Sequence, residues 1–461
     1  MDVEHEQTSF HRFEVDDSRP ASTTNTDFDP HSPSDIIPLL PPVDRGKDAW
    51  LFLAGATTVE VLVWGLPFSV GVLREYWSRE LFPTEVYHGD TMLTLAATLQ
   101  TGLLYMLGVI FGPLSSAYPQ YRWQLMLLGL SGASLSMVMS AFATQPWHLV
   151  VTLGLIYPMS GLIYMPAAIL LFEWFQQKRG LANGIMYAGT GAGGTVFPFI
   201  VQALLQAFGY KAAMISLGLG YFAVGAIAIP TLKPRIPAGR SRAIQSSLDP
   251  GERSHSRPKI NWSFLRRSPI YAFAGSILLS SLGNFLPIVW IPTYAQDLGV
   301  NKPDGTTLLA IANAASVPGL LLLGYLSDHW PLRFVITLTC LGSAAACLLL
   351  WGFSTNSGVL IAFVVIFGLL GLSFSAIWSK LIGIIAKDDP SLPSIVFPIF
   401  AFMRGIGNIT SGPVSEALLR APAWSGAAGA YGFKNYGALL MYTGITMLAG
   451  FGAGIAYKDS D

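Results

Sequence analysis

The sequence predicts an all-α membrane protein with twelve transmembrane helices in two six-helix halves. The first observation is composition: the 461 residues are 52% hydrophobic and only 12% charged, whereas a soluble domain usually carries about 25% charged residues. The second is that twelve apolar stretches are each long enough to cross a bilayer, which takes roughly 20 residues as a helix. The third is that a polar segment rich in Ser, Arg and Pro separates six of these stretches from the other six.

The predicted spans follow one another with polar segments between them. Transmembrane β-strands would show short segments of alternating apolar and polar residues, and the sequence has no such pattern. Prolines inside the spans are compatible with helices, because neighbouring helices can satisfy the carbonyl groups that a proline leaves free. The spans are predicted at 49–73, 90–113, 122–142, 147–172, 182–207, 212–232, 270–296, 306–327, 332–352, 357–387, 393–419 and 436–457.

This pattern divides the chain into four segments. Residues 1–46 are acidic and rich in Ser, Thr and Pro, which is typical of a disordered tail, and they lack the basic and apolar regions of a signal peptide. Residues 49–232 form the first half and residues 270–457 the second, joined by the linker 233–268. Two such halves favour a duplicated transporter with a site between the repeats.

The positions of Lys and Arg predict the orientation of the chain. With the N-terminus inside, nineteen of the 27 basic residues fall in inner segments and six in outer loops. Short cytosolic loops carry the excess of positive charge in membrane proteins. We therefore expect both termini and the linker in the cytosol, and a multi-pass protein of the cell membrane.

Composition also argues against several classes of protein. Lys and Arg together number 27, as do Asp and Glu, so we expect no nucleic-acid partner. Cys340 and Cys347, seven residues apart in one apolar stretch, form neither a disulfide framework nor a metal-ligand cluster. The sequence has no nucleotide-binding Walker pattern. We expect a protein that is not an enzyme and has no cofactor or metal, with the lipid bilayer and a small-molecule substrate as partners and a monomeric state.

A short motif follows the eighth predicted span. It reads Gly324-Tyr325-Leu326-Ser327-Asp328, with Arg333 shortly after it. The motif resembles the Gly-x-Leu-(Ala/Ser)-Asp loop of the major facilitator superfamily. The resemblance implies the major facilitator fold, transport by rocking of the two halves, and a cytosolic charge cluster at this loop. The alternative is an ordinary polar turn, and the corresponding stretch after the second span lacks the aspartate.

Two longer stretches resemble the monocarboxylate-porter family of that superfamily, especially its fungal members. They read Trp64-Gly65-Leu66-Pro67-Phe68-Ser69-Val70-Gly71-Val72 in span 1 and Glu173-Trp174-Phe175-Gln176-Gln177-Lys178-Arg179-Gly180-Leu181-Ala182-Asn183-Gly184 between spans 4 and 5. Family members that carry lactate-like acids have a lysine in place of Phe68, and an aspartate and an arginine in place of Ser316 and Leu320. The resemblance therefore implies the fold and the transport class, but not lactate-type specificity.

Two charges are predicted near the middle of the membrane. Glu60 and Arg404 each lie eleven residues into a predicted span, which is about 16 Å deep in a helix. A charge near the bilayer centre costs about 2.5–3.5 kcal/mol or more, so it marks either a functional site or a buried pair. On the functional hypothesis Glu60 carries a proton or orients the substrate, and Arg404 binds an anionic or polar group. The alternative is a structural ion pair between them.

The other candidate residues follow from helix faces and from the resemblance. An aromatic and an amide residue lie one turn from the two charges, and the superfamily resemblance implies that spans 1, 4, 7 and 10 line the cavity. One lysine near the inner end of span 10 either faces the cavity or extends to the membrane surface. The candidate substrate and coupling residues are Glu60, Trp64, Tyr157, Tyr164, Asn284, Lys380, Arg404 and Asn408. The candidate gating residues are Glu173, Arg179, Asp328 and Arg333.

These observations predict a secondary active transporter that moves a small organic acid or an amphipathic metabolite by alternating access. Two forms of this function stay open: an efflux carrier for a fungal secondary metabolite, and a proton-coupled uptake permease for a nutrient. A non-transporting membrane nutrient receptor is the alternative of another class, although the linker of 36 residues is short for a signalling module. Proton coupling itself stays open.

Overall fold

The computed structural model describes residues 41–83, 89–236, 262–300, 302–387, 389, 392–420 and 426–457. The regular structure in these residues is helical. Eleven of the described helices are long and apolar enough to cross a membrane. One of them, Arg179–Thr231, has 53 residues. As a straight helix it would measure about 80 Å, more than twice the hydrocarbon thickness of about 30 Å.

Gly209 divides this long helix into two antiparallel spans. Its φ of 74° and ψ of 174° are not helical, and a residue without a Cβ adopts such a conformation most readily. Both ends of the helix lie beside the start of span 1. Asp44 binds the backbone just before Arg179, and Thr231 contacts Gly55. The chain therefore reverses at Gly209, and the described residues contain the twelve predicted spans.

The spans lie where the sequence predicts them, with ends that differ by a few residues. We number them 1 to 12 in chain order and call the end of the bundle where span 1 begins the Asp328 end, and the opposite end the Gly209 end. The spans are Lys47–Arg74, Leu95–Ala117, Pro119–Ser140, Pro146–Trp174, 179–208, 210–231, Ser268–Asp297, Gly305–His329, Leu332–Trp351, Ser357–Ala386, Pro393–Leu419 and Tyr436–Ile455.

The two halves meet along two closely packed pairs of helices. Span 5 packs on span 8, where a Cβ at Gly184 would lie only 2.5 Å from the carbonyl oxygen of Leu320. Span 2 packs on span 11, where a Cβ at Gly405 would lie 2.8 Å from the carbonyl oxygen of Gly102. Glycine at such positions lets helix backbones approach closely in a membrane. Span 5 of the first half corresponds to span 11 of the second, and span 2 corresponds to span 8. The span 5–span 8 pair is therefore equivalent to the span 11–span 2 pair, as expected for two copies of one six-helix unit.

Spans 1, 4, 7 and 10 are each interrupted along their length. Span 1 breaks at Ser69 and span 7 at Phe285. Span 4 contains the π-helical turn Val150–Ile156 and a 3₁₀ turn, and span 10 contains the 3₁₀ segment Leu372–Ile377. At membrane depth, irregular backbone is tolerated where it is buried in protein or lines a cavity. Three of these interrupted helices, spans 1, 7 and 10, also contribute side chains to the central cavity described below.

Residues 41–46, the last residues of the predicted tail, make defined contacts with the first half. The Asp44 carboxylate accepts backbone hydrogen bonds from residues 176–178, and Arg235 donates to the carbonyl oxygen of Pro41 at 2.8 Å. These contacts fold residues 41–46 onto the loop between spans 4 and 5. Residues 1–40 and residues 237–261 of the linker lie outside the described residues.

A candidate substrate site between the two halves

A small cavity of about 30 Å³ lies at the centre of the bundle. Its wall comes from both halves: spans 1, 2 and 5 of the first, and spans 7, 8, 10 and 11 of the second. Much of the wall is aromatic, from Phe68, Tyr105, Tyr187 and Phe285. A cavity between two six-helix halves is where a transporter with internal repeats binds its substrate.

The polar part of the wall is small and mostly neutral. Thr190, Asn313, Ser316 and Ser375 contribute hydroxyl and amide groups, and Arg404 contributes a guanidinium group. Arg404 is the only charged residue among the described residues that line the cavity. The cavity therefore combines one positive charge, a few hydrogen-bonding groups and aromatic surfaces, which suits an anion with an apolar body.

The Arg404 side chain is held among aromatic rings. Its Cζ lies 5.1 Å from the ring centre of Phe285, 5.8 Å from that of Tyr105 and 5.9 Å from that of Trp378. The residue is 6% exposed. Its Nε has no hydrogen-bond partner among the described residues, and the ion pairs of the described chain do not include Arg404. Ring faces stabilise a cation where water is scarce, but they supply no negative charge, so within the described residues this guanidinium group has no counter-charge.

Glu60 lies one side chain behind the cavity wall and is fully buried, at 0% exposed. Its Oε2 accepts a hydrogen bond of 2.7 Å from the hydroxyl of Thr190, which lines the cavity, and its Oε1 has no partner among the described residues. One turn along span 1, Trp64 packs against Tyr105 with 4.4 Å between ring centres and an angle of 35° between the ring planes. Tyr105 in turn lies beside Arg404. Aromatic contacts, and no ion pair, thus connect the Glu60 and Arg404 regions in this conformation.

The span 4 tyrosines have different surroundings. The hydroxyl of Tyr164 lies 3.1 Å from that of Tyr187, so Tyr164 reaches the cavity wall through one hydrogen bond. Tyr157 donates to the carbonyl oxygen of Val63 at 2.8 Å and packs on Tyr221. Tyr157 therefore joins helices of the first half and does not line the cavity.

The remaining candidates of the second half also lie off the central cavity. Asn284 donates to the carbonyl oxygen of Gly371 at 2.6 Å and lines a separate small cavity inside that half with Ser280. Asn408 is buried one turn beyond Arg404, and its amide atoms have no partner among the described residues. Lys380 is half-buried on span 10 and is not part of the central wall. Of the eight candidate substrate and coupling residues, Arg404 alone lines the cavity directly.

At the Asp328 end, the halves are joined by hydrogen bonds to the start of span 5. The Asp328 carboxylate accepts from the backbone N–H groups of Gly180 and Leu181, both at 2.9 Å. A little deeper, the Asn183 amide donates to the carbonyl oxygens of Ser375 and Ala376 at 3.1 and 2.9 Å. These contacts join the two halves at this end of the bundle, on the side of span 5.

Each of the other three candidate gating residues makes a hydrogen bond within its own half, and Arg179 also interacts electrostatically with Asp328 of the other half. Arg333 donates to the carbonyl oxygen of Tyr457 at 3.0 Å, and Glu173 accepts from the backbone of Arg235 at 3.1 Å. Arg179 donates through Nε to the carbonyl oxygen of Phe175 at 3.1 Å. At this end, the Asp328 carboxylate of the second half therefore binds the N-terminus of span 5 in the first half. A negative charge is stabilised at a helix N-terminus.

Sequence reasoning missed most of the neutral cavity wall. Asn313 is the single amide residue of span 8, and Thr190 is a hydroxyl residue in a run of glycines on span 5; both patterns could have pointed to the site. Tyr105 and Phe285 carry no comparable signal, because aromatic residues are common in the spans.

Comparison with known proteins agrees with this architecture. Residues 80–412 match the Major Facilitator Superfamily. The MFS-type transporter pynF of Aspergillus niger is 25% identical over 428 residues, which are 92% of each chain. The Fujikurins efflux protein of Gibberella fujikuroi is 25% identical over 390 residues, which are 82% of this chain and 78% of that protein.

The fold is also that of a solved transporter. The crystal structure of the human organic anion transporter MFSD10 (TETRAN) matches with a TM-score of 0.63 at 14% identity, over 88% of this chain and 99% of that one. The family match, the twelve spans and the cavity between two halves lead to one conclusion: this chain belongs to the major facilitator superfamily and is a multi-pass membrane transporter.

Proposed function

We propose that this transporter exports a small organic acid or an amphipathic metabolite by alternating access. The observation that carries the proposal is the Arg404 guanidinium group, which lines the cavity among aromatic rings and has no ion-pair partner among the described residues. A buried charge is costly unless it is paired, and a bound anion would supply the pairing. The aromatic wall fits the apolar body of such a substrate. A relative named as an efflux protein supports the outward direction.

Within the superfamily, we assign the chain to the monocarboxylate-porter family on its two signature stretches. Phe68 and Ser316 stand where lactate carriers have a lysine and an aspartate, and both line the cavity. The cavity therefore lacks the lysine and aspartate charges that lactate carriers have at these two positions. Arg404 on span 11 provides the positive charge instead, from a different wall. This exchange supports a substrate larger and more apolar than lactate.

Proton-coupled uptake is the second candidate function, and Glu60 is the observation that favours it. The carboxyl group is buried, and its Oε1 has no partner among the described residues, so it can hold a proton there. The Thr190 hydroxyl connects the group to the cavity wall. The same residue would couple export to protons if the acid leaves together with its proton.

The direction of transport can be tested in the organism that makes the protein. Deletion of the gene for this protein should raise the level of an organic acid inside the cells severalfold and lower its level in the medium. Mass spectrometry of the cell extract and of the medium measures both levels. Re-expression of the natural chain should restore export, and re-expression of Arg404→Gln should not. Poor growth on an organic acid as carbon source, with an unchanged medium, would instead establish the uptake permease.

We further propose that the protein is a monomer of the cell membrane with both termini and the Asp328 end in the cytosol. Single cysteines at Lys302 and at Ser247 test this topology, in a chain whose buried Cys340 and Cys347 are replaced by alanine. A membrane-impermeant maleimide should label Lys302→Cys in intact cells, and should label Ser247→Cys only after permeabilisation. Labelling of both positions in intact cells would contradict the orientation.

A further inference from the structure

Asp44, in the turn before span 1, lies outside the substrate site and has no part in the function proposed above. We propose that Asp44 is a positioning residue of the gate at the Asp328 end: it holds the start of span 5 in the conformation that Asp328 binds. The proposal concerns the conformational cycle and does not depend on the substrate or on the direction of transport.

The contacts of Asp44 are specific and numerous. Its Oδ1 accepts from the backbone N–H groups of Gln176 and Lys178, and its Oδ2 accepts from that of Gln177, each at 3.0 Å. Its own backbone N–H donates to the carbonyl oxygen of Trp174 at 3.0 Å. A side chain 132 residues away from Gln176 in the sequence therefore caps the loop that leads into span 5.

The turn that presents Asp44 has an unusual backbone. Asp44 has a φ of 59° and Gly46 a φ of 92°. The left-handed region is uncommon for a residue with a Cβ, and aspartate is among those that tolerate it best. Such conformations persist only where the surrounding contacts hold them. Here the four hydrogen bonds to residues 174–178 hold the turn, with further support from the contact of Arg235 with Pro41.

Asp44 and Asp328 bind neighbouring groups of the same short segment. Asp44 takes the N–H groups of residues 176–178, and Asp328 takes those of residues 180 and 181. Arg179 lies between the two sets and interacts electrostatically with both carboxylates. The backbone direction at residues 180 and 181 follows from that at residues 176–178, because the two sets are separated by one residue. Asp44 thus sets the geometry that Asp328 meets.

The two carboxylates differ in which half carries them. Asp328 belongs to the second half and must leave residues 180 and 181 when the halves separate at this end. Asp44 and all its partners belong to the first half, so its hydrogen bonds survive the separation. The start of span 5 then keeps its shape and can accept Asp328 again when the halves close. Without Asp44 the segment gains conformational freedom, and closing this end must restrict that freedom.

The test measures opening of the Asp328 end without any substrate. A single cysteine replaces Ser316 in the cavity wall of the full-length chain, with Cys340 and Cys347 replaced by alanine. Inside-out membrane vesicles expose the Asp328 end to an impermeant maleimide, and the labelling rate reports how often that end opens. Asp44→Asn should raise the rate about threefold to tenfold, because an amide accepts fewer of the three hydrogen bonds and carries no charge. Asp328→Asn should raise it at least as much.

The double variant distinguishes positioning from general destabilisation. If Asp44 acts through the Asp328 contact, Asp44→Asn with Asp328→Asn should label no faster than Asp328→Asn alone. Arg45→Gln and Gln177→Ala are matched controls, since they change neighbouring side chains and keep the capped N–H groups; both should label at the natural rate.

Two results would overturn the proposal: an unchanged rate in Asp44→Asn, or a double variant whose rate is the product of the two single effects. Should Asp44→Asn give too little protein, Asp44→Ser retains one acceptor oxygen and should give an intermediate rate. If Asp44→Ser is labelled as slowly as the unsubstituted protein while Asp328→Asn is labelled faster, a role for Asp44 is likewise rejected.

Discussion

Replacement of Arg404 by glutamine should reduce transport of the exported acid about 100-fold or more while the protein remains folded in the membrane. The guanidinium group can offer two parallel hydrogen bonds to a carboxylate, each worth about 1.5–3 kcal/mol when a charge is involved, and about 2.7 kcal/mol is a factor of 100. Glutamine removes these bonds together with the only charge of the described cavity wall. The measurement is the initial rate of uptake into inside-out vesicles of the acid identified by the deletion experiment.

Folding of Arg404→Gln should be preserved, because the substitution removes a buried charge that has no ion-pair partner in the described chain. Arg404→Lys keeps the charge but lacks the planar fork of the guanidinium group, so a loss of about tenfold is expected. Lys380→Gln is the matched control: Lys380 is half-buried on span 10 and lies off the cavity. If Arg404→Gln transports the acid as fast as the unsubstituted protein, Arg404 does not bind the substrate. If Lys380→Gln loses as much transport as Arg404→Gln, the loss is not specific to the cavity and gives no support to a substrate site at Arg404.

The fold could be predicted because lipid imposes a simple requirement on each span. Every helix that crosses the bilayer must be apolar over about 20 residues, and this signal is local. Spans 5 and 6 follow each other directly in the structure, and the sequence still predicts two spans there, because Gly209 and Lys211 interrupt the apolar run. The same requirement explains why Arg404 could be found, because a charge stands out in an apolar stretch.

The cavity wall could not be predicted in the same way, because lipid-facing and cavity-facing positions are both apolar or aromatic. Hydropathy gives the length of a span but not its rotation, which depends on packing against other helices. An internal repeat would have helped. Leu66-Pro67-Phe68 in span 1 and Leu286-Pro287-Ile288 in span 7 stand at equivalent places in the two halves, and Phe68 and Ile288 both line the cavity.

Tyr157 and Asn284 show a second reason why the cavity wall could not be predicted from the sequence. The helical periodicity of side chains does not continue across a break in the helix. Tyr157 follows a π-helical turn, which changes the register of the residues after it. Asn284 is the last residue before the break of span 7 and shares its face with Ser280, toward a cavity inside the second half. Beyond that break, Phe285 and Ile288 line the central cavity. On span 7, a constant spacing of three and four residues therefore selects the right helix but the wrong face.

Glu60→Gln should abolish accumulation of the substrate against its gradient while exchange of substrate across the membrane continues. Glutamine has the size of glutamate and still offers Thr190 an acceptor oxygen, so the 2.7 Å contact can be retained. Its amide group cannot take up and release a proton. If Glu60 couples transport to protons, an imposed pH gradient should drive accumulation in the natural chain and only equilibration in Glu60→Gln.

Counterflow exchange provides the control for that experiment, because it requires binding and rocking but no net proton movement. In Glu60→Gln its rate should stay within about twofold of the natural rate, as substitutions that keep shape and hydrogen bonding cost little. Accumulation that persists in Glu60→Gln would exclude Glu60 as the coupling residue. Loss of both accumulation and exchange would show instead that Glu60 is needed for binding or for the rocking motion.

The double variant Glu60→Gln with Arg404→Gln decides between coupling and a structural ion pair. If the two charges paired at some stage of the cycle, each single change would leave a buried charge alone, at a cost of about 3–5 kcal/mol. Protein yield would then fall in both single variants and recover in the double variant. The structure predicts otherwise, because Glu60 binds Thr190 and Arg404 lies among aromatic rings. We expect normal yield in all three variants, and no recovery of transport in the double variant over Arg404→Gln alone.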